Sequence, residues 1–285
     1  MTALDAQGVP SLLLKGPVLQ HWLYPDAIRP YGDIDLLVPE PDLAAALIVL
    51  RTRGYADEFA GAAGVETAAH ATTLSGPGDL TVDLHWRLNG TRAPATVVWE
   101  TMAQGGETMR LLDCDVAIPS VVGRIVIVVL HAAQHGMHEA KPLEDVRRAS
   151  ERCTDDQFRH AFAAAQRMGA DESFAAGIRM LPSLASRLPD LVVASPSRMV
   201  AARARGLHET PGLTKVLRAA EAAPRQRLAF IARAVWPTPE FLRATSTEPL
   251  AGRAAIARAR VRRLGVIARR LPRVLSALRE LRRDG

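Results

Sequence analysis

The chain has 285 residues, 48% of them hydrophobic and 23% charged, enough apolar material for one large domain or two ordinary ones. That balance excludes a disordered chain, and the lack of any short fixed period excludes collagen-like and solenoid architectures. The formal net charge is +6, yet residues 251–285 hold eleven Arg against Glu280 and Asp284, so this tail carries +9 and the remainder −3. A nucleic-acid reading drawn from the basic total would therefore be a reading of the tail alone. Lysine is nearly absent, with Lys15, Lys141 and Lys215 against 33 Arg. Two cysteines, Cys114 and Cys153, exclude a disulfide framework and a cysteine-based zinc site, and suit a reducing cytoplasm. Residues 1–10 show no signal-peptide pattern, and the most apolar run, 125–133, falls far short of the roughly 20 residues that span a bilayer. A cytoplasmic protein with no membrane span is expected.

Taken in chain order, residues 11–15 predict a short strand closed by Gly16-Pro17, which opens a helix. A second strand is expected over 33–38. A helix follows over 41–53, with Ala44, Leu47, Ile48 and Leu50 inward and Gly54 as its cap. Residues 71–74 and 80–86 read as two strands joined by the hairpin signal Ser75-Gly76-Pro77-Gly78-Asp79, and 111–118 as a further strand. After Pro119 the texture turns helical. A nearly all-apolar helix is predicted over 121–135, then amphipathic helices over 142–152, 155–168 and 171–181. Three prolines break 182–196 into a connecting stretch, and another helix is expected over 224–235. In the tail, Ala257, Val261, Leu264, Ala268, Leu271, Leu275 and Leu278 recur in steps of four and three, an apolar helical seam. Pro272 within it predicts a kink or two successive helices. The tail lacks aromatic residues for stacking on single-stranded nucleic acid. An α/β front over 1–118 and a helical back over 119–285 make an α+β arrangement of two domains.

Chemistry concentrates in the front part. In a strand, Asp33 and Asp35 project to one face while Ile34 and Leu36 face the other. Two carboxylates about 5 Å apart repel by roughly 3 kcal/mol at an effective dielectric near 20. They are either solvated acids at a strand end or ligands joined by cations, and a pair of Mg²⁺ ions is the natural partner. Val82-Asp83-Leu84-His85-Trp86 places another acid in an apolar-bounded strand, with Asp83 and His85 on one face. Leu13-Leu14-Lys15-Gly16-Pro17 supplies a glycine turn at which backbone N–H groups could meet a phosphate and Lys15 could neutralise it; it is not a Walker A loop. His131 and His135 share one helix face, a spacing that lines clefts more often than it binds metal.

Together these pieces resemble the polymerase-beta-like nucleotidyltransferase superfamily, with its glycine turn, Asp-x-Asp strand and later third acid. They are most similar to its bacterial branch labelled "uncharacterised nucleotidyltransferase", through Leu14-Lys15-Gly16, Arg29, Asp33 to Val38, Gly54-Tyr55 and Asp83 to Trp86. The usual Gly-Ser is replaced here by Lys15-Gly16, so no serine hydroxyl is available for phosphate, and barely ten residues precede the first strand.

The resemblance implies a nucleotidyltransferase domain followed by a helical one, with the active cleft between them. Asp33, Asp35 and Asp83 would be catalytic and would hold two Mg²⁺ ions, with Mn²⁺ able to replace them. Lys15, Gly16, Arg29 and His85 would bind the nucleotide, and His131 and His135 would face the acceptor. The implied reaction passes NMP from an NTP to a hydroxyl or phosphate acceptor and releases pyrophosphate. A peptide is the first candidate acceptor, a small molecule such as an aminoglycoside the second, and RNA, as in toxin-like relatives, the last. The rival from another class is a non-catalytic nucleotide-binding scaffold on the same fold.

Overall fold

The computed structural model describes residues 1–57, 70–191, 196–221, 224–246, 250 and 252–283. These fall into two compact units, the first holding 1–57 and 70–191, the second the described residues from 196 onward.

In the first unit, α1 (Thr2–Asp5) precedes β1 (Leu12–Leu13), α2 (Pro17–Leu23), β2 (Asp33–Leu37), α3 (Leu43–Thr52), β3 (Ala56–Asp57), β4 (Ala71–Ser75) and β5 (Thr81–His85). The strands form one mixed sheet in the order β1-β2-β5-β4-β3. β2 and β5 are parallel, and the remaining neighbours are antiparallel. The β4–β5 turn closes where Gly78 takes φ +69°, a conformation glycine adopts without a Cβ clash. Alternation along β2 and β5 sends Leu36, Val82 and Leu84 into a core with Leu74, Ala46 and Leu50, and with Met109, Val116 and Ile118. The alternate residues face the other side of the sheet.

Two expectations for the front of this unit need correction. The buried residues of α3 are Ala46 and Leu50, flanked by half-buried Leu43 and Leu47, whereas Ala44 and Ile48 are exposed. The helix is apolar nearly all round, so composition could not choose its docking face. The strand expected over 111–118 is a hairpin, β6 (Glu107–Leu111) with β7 (Cys114–Ile118), turning through Leu112 at φ +52°. Before it lies an unanticipated helix, α4 (Ala95–Ala103).

The helical part of the unit begins with α5 (Val121–His135), whose ends match the sequence reading. The Ser120 hydroxyl accepts the Gly123 N–H at its start, and Gly136 at φ +77° closes it. α6 (Ala140–Arg152), α7 (Asp155–Arg167) and α8 (Asp171–Arg179) pack around it. Between 182 and 191 the chain is helical rather than a connecting stretch: α9 (Pro182–Arg187) begins on Pro182, a first-turn position where the missing N–H costs nothing. Residues 192–195 of that expected connector lie outside the described residues.

The second unit contains α10 (Arg198–Ala204), α11 (Leu213–Glu221), α12 (Pro224–Val235), α13 (Pro239–Thr245) and α14 (Gly252–Arg283). α14 runs as one helix through Pro272, where the missing N–H leaves the Ala268 carbonyl without its intrahelical partner. Its buried residues are Ile256, Val274, Ala277 and Leu281, the last three in a cluster with Ala202, Leu213 and Leu217. The expected seam is thus rotated: Val261, Leu271 and Leu275 are exposed. The alternating four-and-three pattern also fits the neighbouring face, and packing selected that one. The architecture is α+β, a mixed sheet with helices followed by a helical region. Among the described residues no helix is long and apolar enough to cross a membrane.

Candidate active site

The parallel pairing of β2 with β5 sets Asp35 directly beside Asp83, and the antiparallel pairing of β4 with β5 sets Thr73 opposite Asp83. Side chains at these register positions share the face opposite the apolar core. Asp35 Oδ1 accepts from Lys15 Nζ at 2.7 Å and pairs with His85 Nε2 at 3.0 Å. Thr73 Oγ1 donates to Asp83 Oδ1 at 2.6 Å. Asp35 is buried; burial alone would raise its carboxyl pKa, but the His85 hydrogen bond and the Lys15 ammonium outweigh it and hold the group well below the usual carboxylate range.

Lys15 reaches this position from a constrained turn. Gly16 has φ +60°, and a Cβ there would sit 3.4 Å from both the Asp33 carbonyl oxygen and the Tyr31 ring. The Leu14 N–H donates to the Asp35 carbonyl at 2.9 Å, extending the β1–β2 pairing up to Lys15.

Lys15, Gly16, Arg29, Asp33, Asp35, Asp83 and His85 all line one cavity of about 440 Å³, which also receives His131 and His135 of α5. Every residue of the predicted site is therefore brought to the same space, in the size range of small-ligand sites. They do not all converge to the same degree. One ligand atom each of Asp35, Asp83 and His85 lie within 4.8 Å of one another, and Asp33 is not in that group. Two carboxylates suit a hard divalent cation. His85 Nδ1 is buried without a hydrogen-bond partner among the described residues. The donor set fits a divalent ion, with His85 joining the two acids.

Arg29 lines the cavity but its guanidinium is engaged. Nε and Nη2 donate to Asp145 Oδ1 and Oδ2 at 2.8 and 2.7 Å, and both residues are buried. The Tyr24 hydroxyl donates to the same Oδ1 at 2.8 Å. Asp145 on α6 was not singled out for this role from the sequence. The signal was there: Pro142, Asp145, Val146 and Ala149 are the inward stripe of that helix, and an acid in such a stripe needs a buried cation. Thr73 and His70, the latter with its ring 6.0 Å from that of His85, were also missed.

The helical wall of the cavity is formed by α5 and the start of α6. The His131 and His135 rings pack edge-to-face with centroids 4.6 Å apart, and His135 Nδ1 lies 2.7 Å from Glu139. Burial, with the positive charge of Lys15 next, pushes the His131 pKa well down, so its imidazole is neutral, and its Nδ1 has no partner among the described residues.

A family model described as uncharacterised nucleotidyltransferase matches residues 1–186, so the chain belongs to that family and is a nucleotidyltransferase, a transferase enzyme. The match takes in the whole of this cavity. No curated protein matches the chain in sequence. Among solved structures, the antibiotic-resistance factor ANT(2'')-Ia in complex with adenylyl-2''-tobramycin is similar at 16% identity and a TM-score of 0.42, over 58% of this chain and 92% of that one. The solution structure of ANT(2'')-Ia matches at 15% identity and a TM-score of 0.40, over 58% and 86%. An antigenic nucleotidyltransferase-like protein from Paracoccidioides brasiliensis matches at 15% identity and a TM-score of 0.37, over 66% and 88%.

Proposed function

We propose that the protein transfers NMP from an NTP to a hydroxyl or phosphate group of a peptide or small-molecule acceptor, releasing pyrophosphate. The observation that carries this reading is the placement of Asp35 and Asp83, in register on adjacent parallel strands, at the wall of a ligand-sized cavity. Asp35 and Asp83, with Asp33 and His85 beside them, would hold Mg²⁺ in a two-ion site, and Mn²⁺ in its place. Bound there, the ions would neutralise the negative charge that develops at the α-phosphate and on the departing pyrophosphate.

The protein's own groups take the remaining roles. Lys15 and the Gly16 turn receive the triphosphate, and Arg29, fixed by Asp145, lines that side of the cavity. Asp83 takes the proton from the acceptor as its oxygen bonds to the α-phosphorus and the bond to pyrophosphate breaks. Thr73 keeps the Asp83 carboxylate oriented. His131 and His135 face the acceptor across the cavity. We assign catalysis to 1–118 and acceptor binding to the helical part of 119–285, the cavity lying where the sheet meets α5 and α6. A reducing, cytoplasmic setting suits the free thiols of Cys114 and Cys153.

The test is calorimetric titration of each of the four NTPs with Mg²⁺ present, using wild type, Asp33→Asn and Asp35→Asn. Mg²⁺-dependent binding of an NTP that Asp35→Asn abolishes and Asp33→Asn weakens is the expected result. Binding indifferent to Mg²⁺ and to both acids would instead favour a nucleotide-binding scaffold.

A further inference from the structure

Among the described residues, two pairs of a lysine or arginine with an aspartate border the cavity, and they are built differently. Arg29–Asp145 uses both carboxylate oxygens, two guanidinium nitrogens and the Tyr24 hydroxyl, with side chains 3% and 0% exposed. Lys15–Asp35 is a single contact from an ammonium whose side chain is 20% exposed and lines the cavity. The first is sealed and geometrically fixed. The second holds a compact charge on a flexible four-carbon stem, anchored at a turn that Gly16 keeps in place.

The oxygen that Lys15 contacts, Asp35 Oδ1, is also the one paired with His85 Nε2, and Asp35 and His85 are two members of the group able to hold a divalent ion. An ion held there needs the lone pairs of Asp35 and His85. It would also be repelled by an ammonium 2.7 Å from the shared oxygen. Lys15 and a divalent ion therefore draw on the same carboxylate.

We propose that Lys15 is an internal cation that competes with the divalent ion for Asp35, and that it moves from Asp35 to the nucleotide phosphates as the ion enters. Lys15 then couples the two ligands. Metal binding releases the ammonium for phosphate, and phosphate binding removes the competitor from the metal site, so each ligand strengthens the other by the same factor. The competition with metal stands on the geometry alone, whereas the transfer to phosphate rests on the nucleotidyl-transfer reading.

The experiment is Mn²⁺ titration of the full chain, followed by the electron paramagnetic resonance signal of the free ion. It is run with and without a non-transferable α,β-methylene NTP analogue, for wild type, Lys15→Met, Lys15→Gln and Lys15→Arg. Without nucleotide, Lys15→Met and Lys15→Gln are expected to bind Mn²⁺ at least about fivefold more tightly than wild type, and Lys15→Arg to stay near wild type. The analogue is expected to tighten Mn²⁺ on wild type and to do so much less on the two neutral variants. Two neutral side chains of different polarity separate loss of charge from local repacking. Mn²⁺ affinity unchanged or weakened in both neutral variants, or no Mn²⁺ bound by any of the four proteins, overturns the proposal. Tighter Mn²⁺ in the neutral variants with no response to the analogue in any protein supports the cation competition and removes the nucleotidyl-transfer reading.

Discussion

Arg29 and Asp145 lie 116 residues apart in the chain and meet as a buried two-bond pair, Nε to Oδ1 at 2.8 Å and Nη2 to Oδ2 at 2.7 Å. The pair ties the segment between α2 and β2 to α6, and so fixes one wall of the cavity against another. Desolvation works against the guanidinium charge, but the Asp145 hydrogen bonds and charge overcome it and raise the Arg29 pKa above its ordinary value. Removing one partner strands the other. Asp145→Ala is expected to lower stability by about 3–5 kcal/mol, read from the urea midpoint, because it leaves an unpaired buried charge. The double variant Arg29→Met with Asp145→Leu is expected to recover much of that loss. NTP binding should stay weak in it, since Arg29 no longer lines the cavity. Equal destabilisation by the single and double variants would contradict the account.

How much of this was legible beforehand depends on the kind of signal. The Asp-x-Asp strand, the Pro-Gly hairpin between β4 and β5 and the ends of α5 rest on local chemistry: alternation, a glycine φ, a serine cap. Each was readable from a few adjacent residues. The faces of α3 and α14 were misread because both carry more apolar positions than one docking face needs, and tertiary packing chose between adjacent stripes. The site's acids and Lys15 were visible as motif residues. The partners that set their geometry were not, because Thr73 meets Asp83, and Asp145 meets Arg29, through pairings no local window contains. Asp33 and Asp35 looked equivalent in sequence, and only the register with β5 separates them.

Gly177 on α8 offers a test of how tightly the central helix is held. A Cβ at this position would collide with the carbonyl oxygen of Val129 on α5 and would sit 2.7 Å from Val129 Cγ1. A backbone oxygen inside a helix cannot rotate away, so α8 would have to move. Gly177→Ala gains helix propensity of up to about 1 kcal/mol but introduces overpacking of about 1–3 kcal/mol. A net loss of stability is expected in thermal melting, and a gain would show that the helices are not in close contact.

His131 predicts a dependence of stability on acid. Its pKa is lowered in the folded protein, chiefly by burial and then by the charges of Lys15 and His135, with Asp35 opposing and Arg29 adding to the shift. As pH falls below the ordinary histidine value of about 6.5, the unfolded chain takes up this proton before the folded one does. The contribution is therefore fully present above about pH 6.5 and is lost as pH falls toward the folded value. His131→Phe keeps a planar ring and removes the titration, so its melting temperature should decline less than that of wild type between about pH 7 and pH 5. Parallel pH profiles would remove the assignment.

The acceptor class can be probed by salt. Every described residue that lines the cavity belongs to the first unit. A peptide or small molecule would meet few phosphate-type contacts, so turnover should change only modestly between about 50 and 200 mM salt. A polyanion neutralised at six to ten phosphates would lose roughly 10³–10⁵ in affinity over that range. A steep loss would move RNA ahead of the peptide or small molecule.

The acids themselves should not be equivalent. Asp35 and Asp83 converge with His85, while Asp33 lines the same cavity outside that group. Asp35→Asn removes a carboxylate shared by His85 and Lys15, and Asp83→Asn removes the group proposed to take the acceptor's proton. Each is expected to lower NTP turnover by roughly 10²-fold or more at saturating Mg²⁺. Asp33→Asn should weaken metal and nucleotide binding yet recover more of its turnover when Mg²⁺ is raised, because the two carboxylates that converge with His85 remain. Thr73→Val leaves Asp83 charged but frees its orientation, and a loss of about tenfold is expected, in kcat more than in KM. A ranking in which Asp33→Asn is the most damaging at every Mg²⁺ concentration would shift the centre of the site along β2, away from the register partner of Asp83.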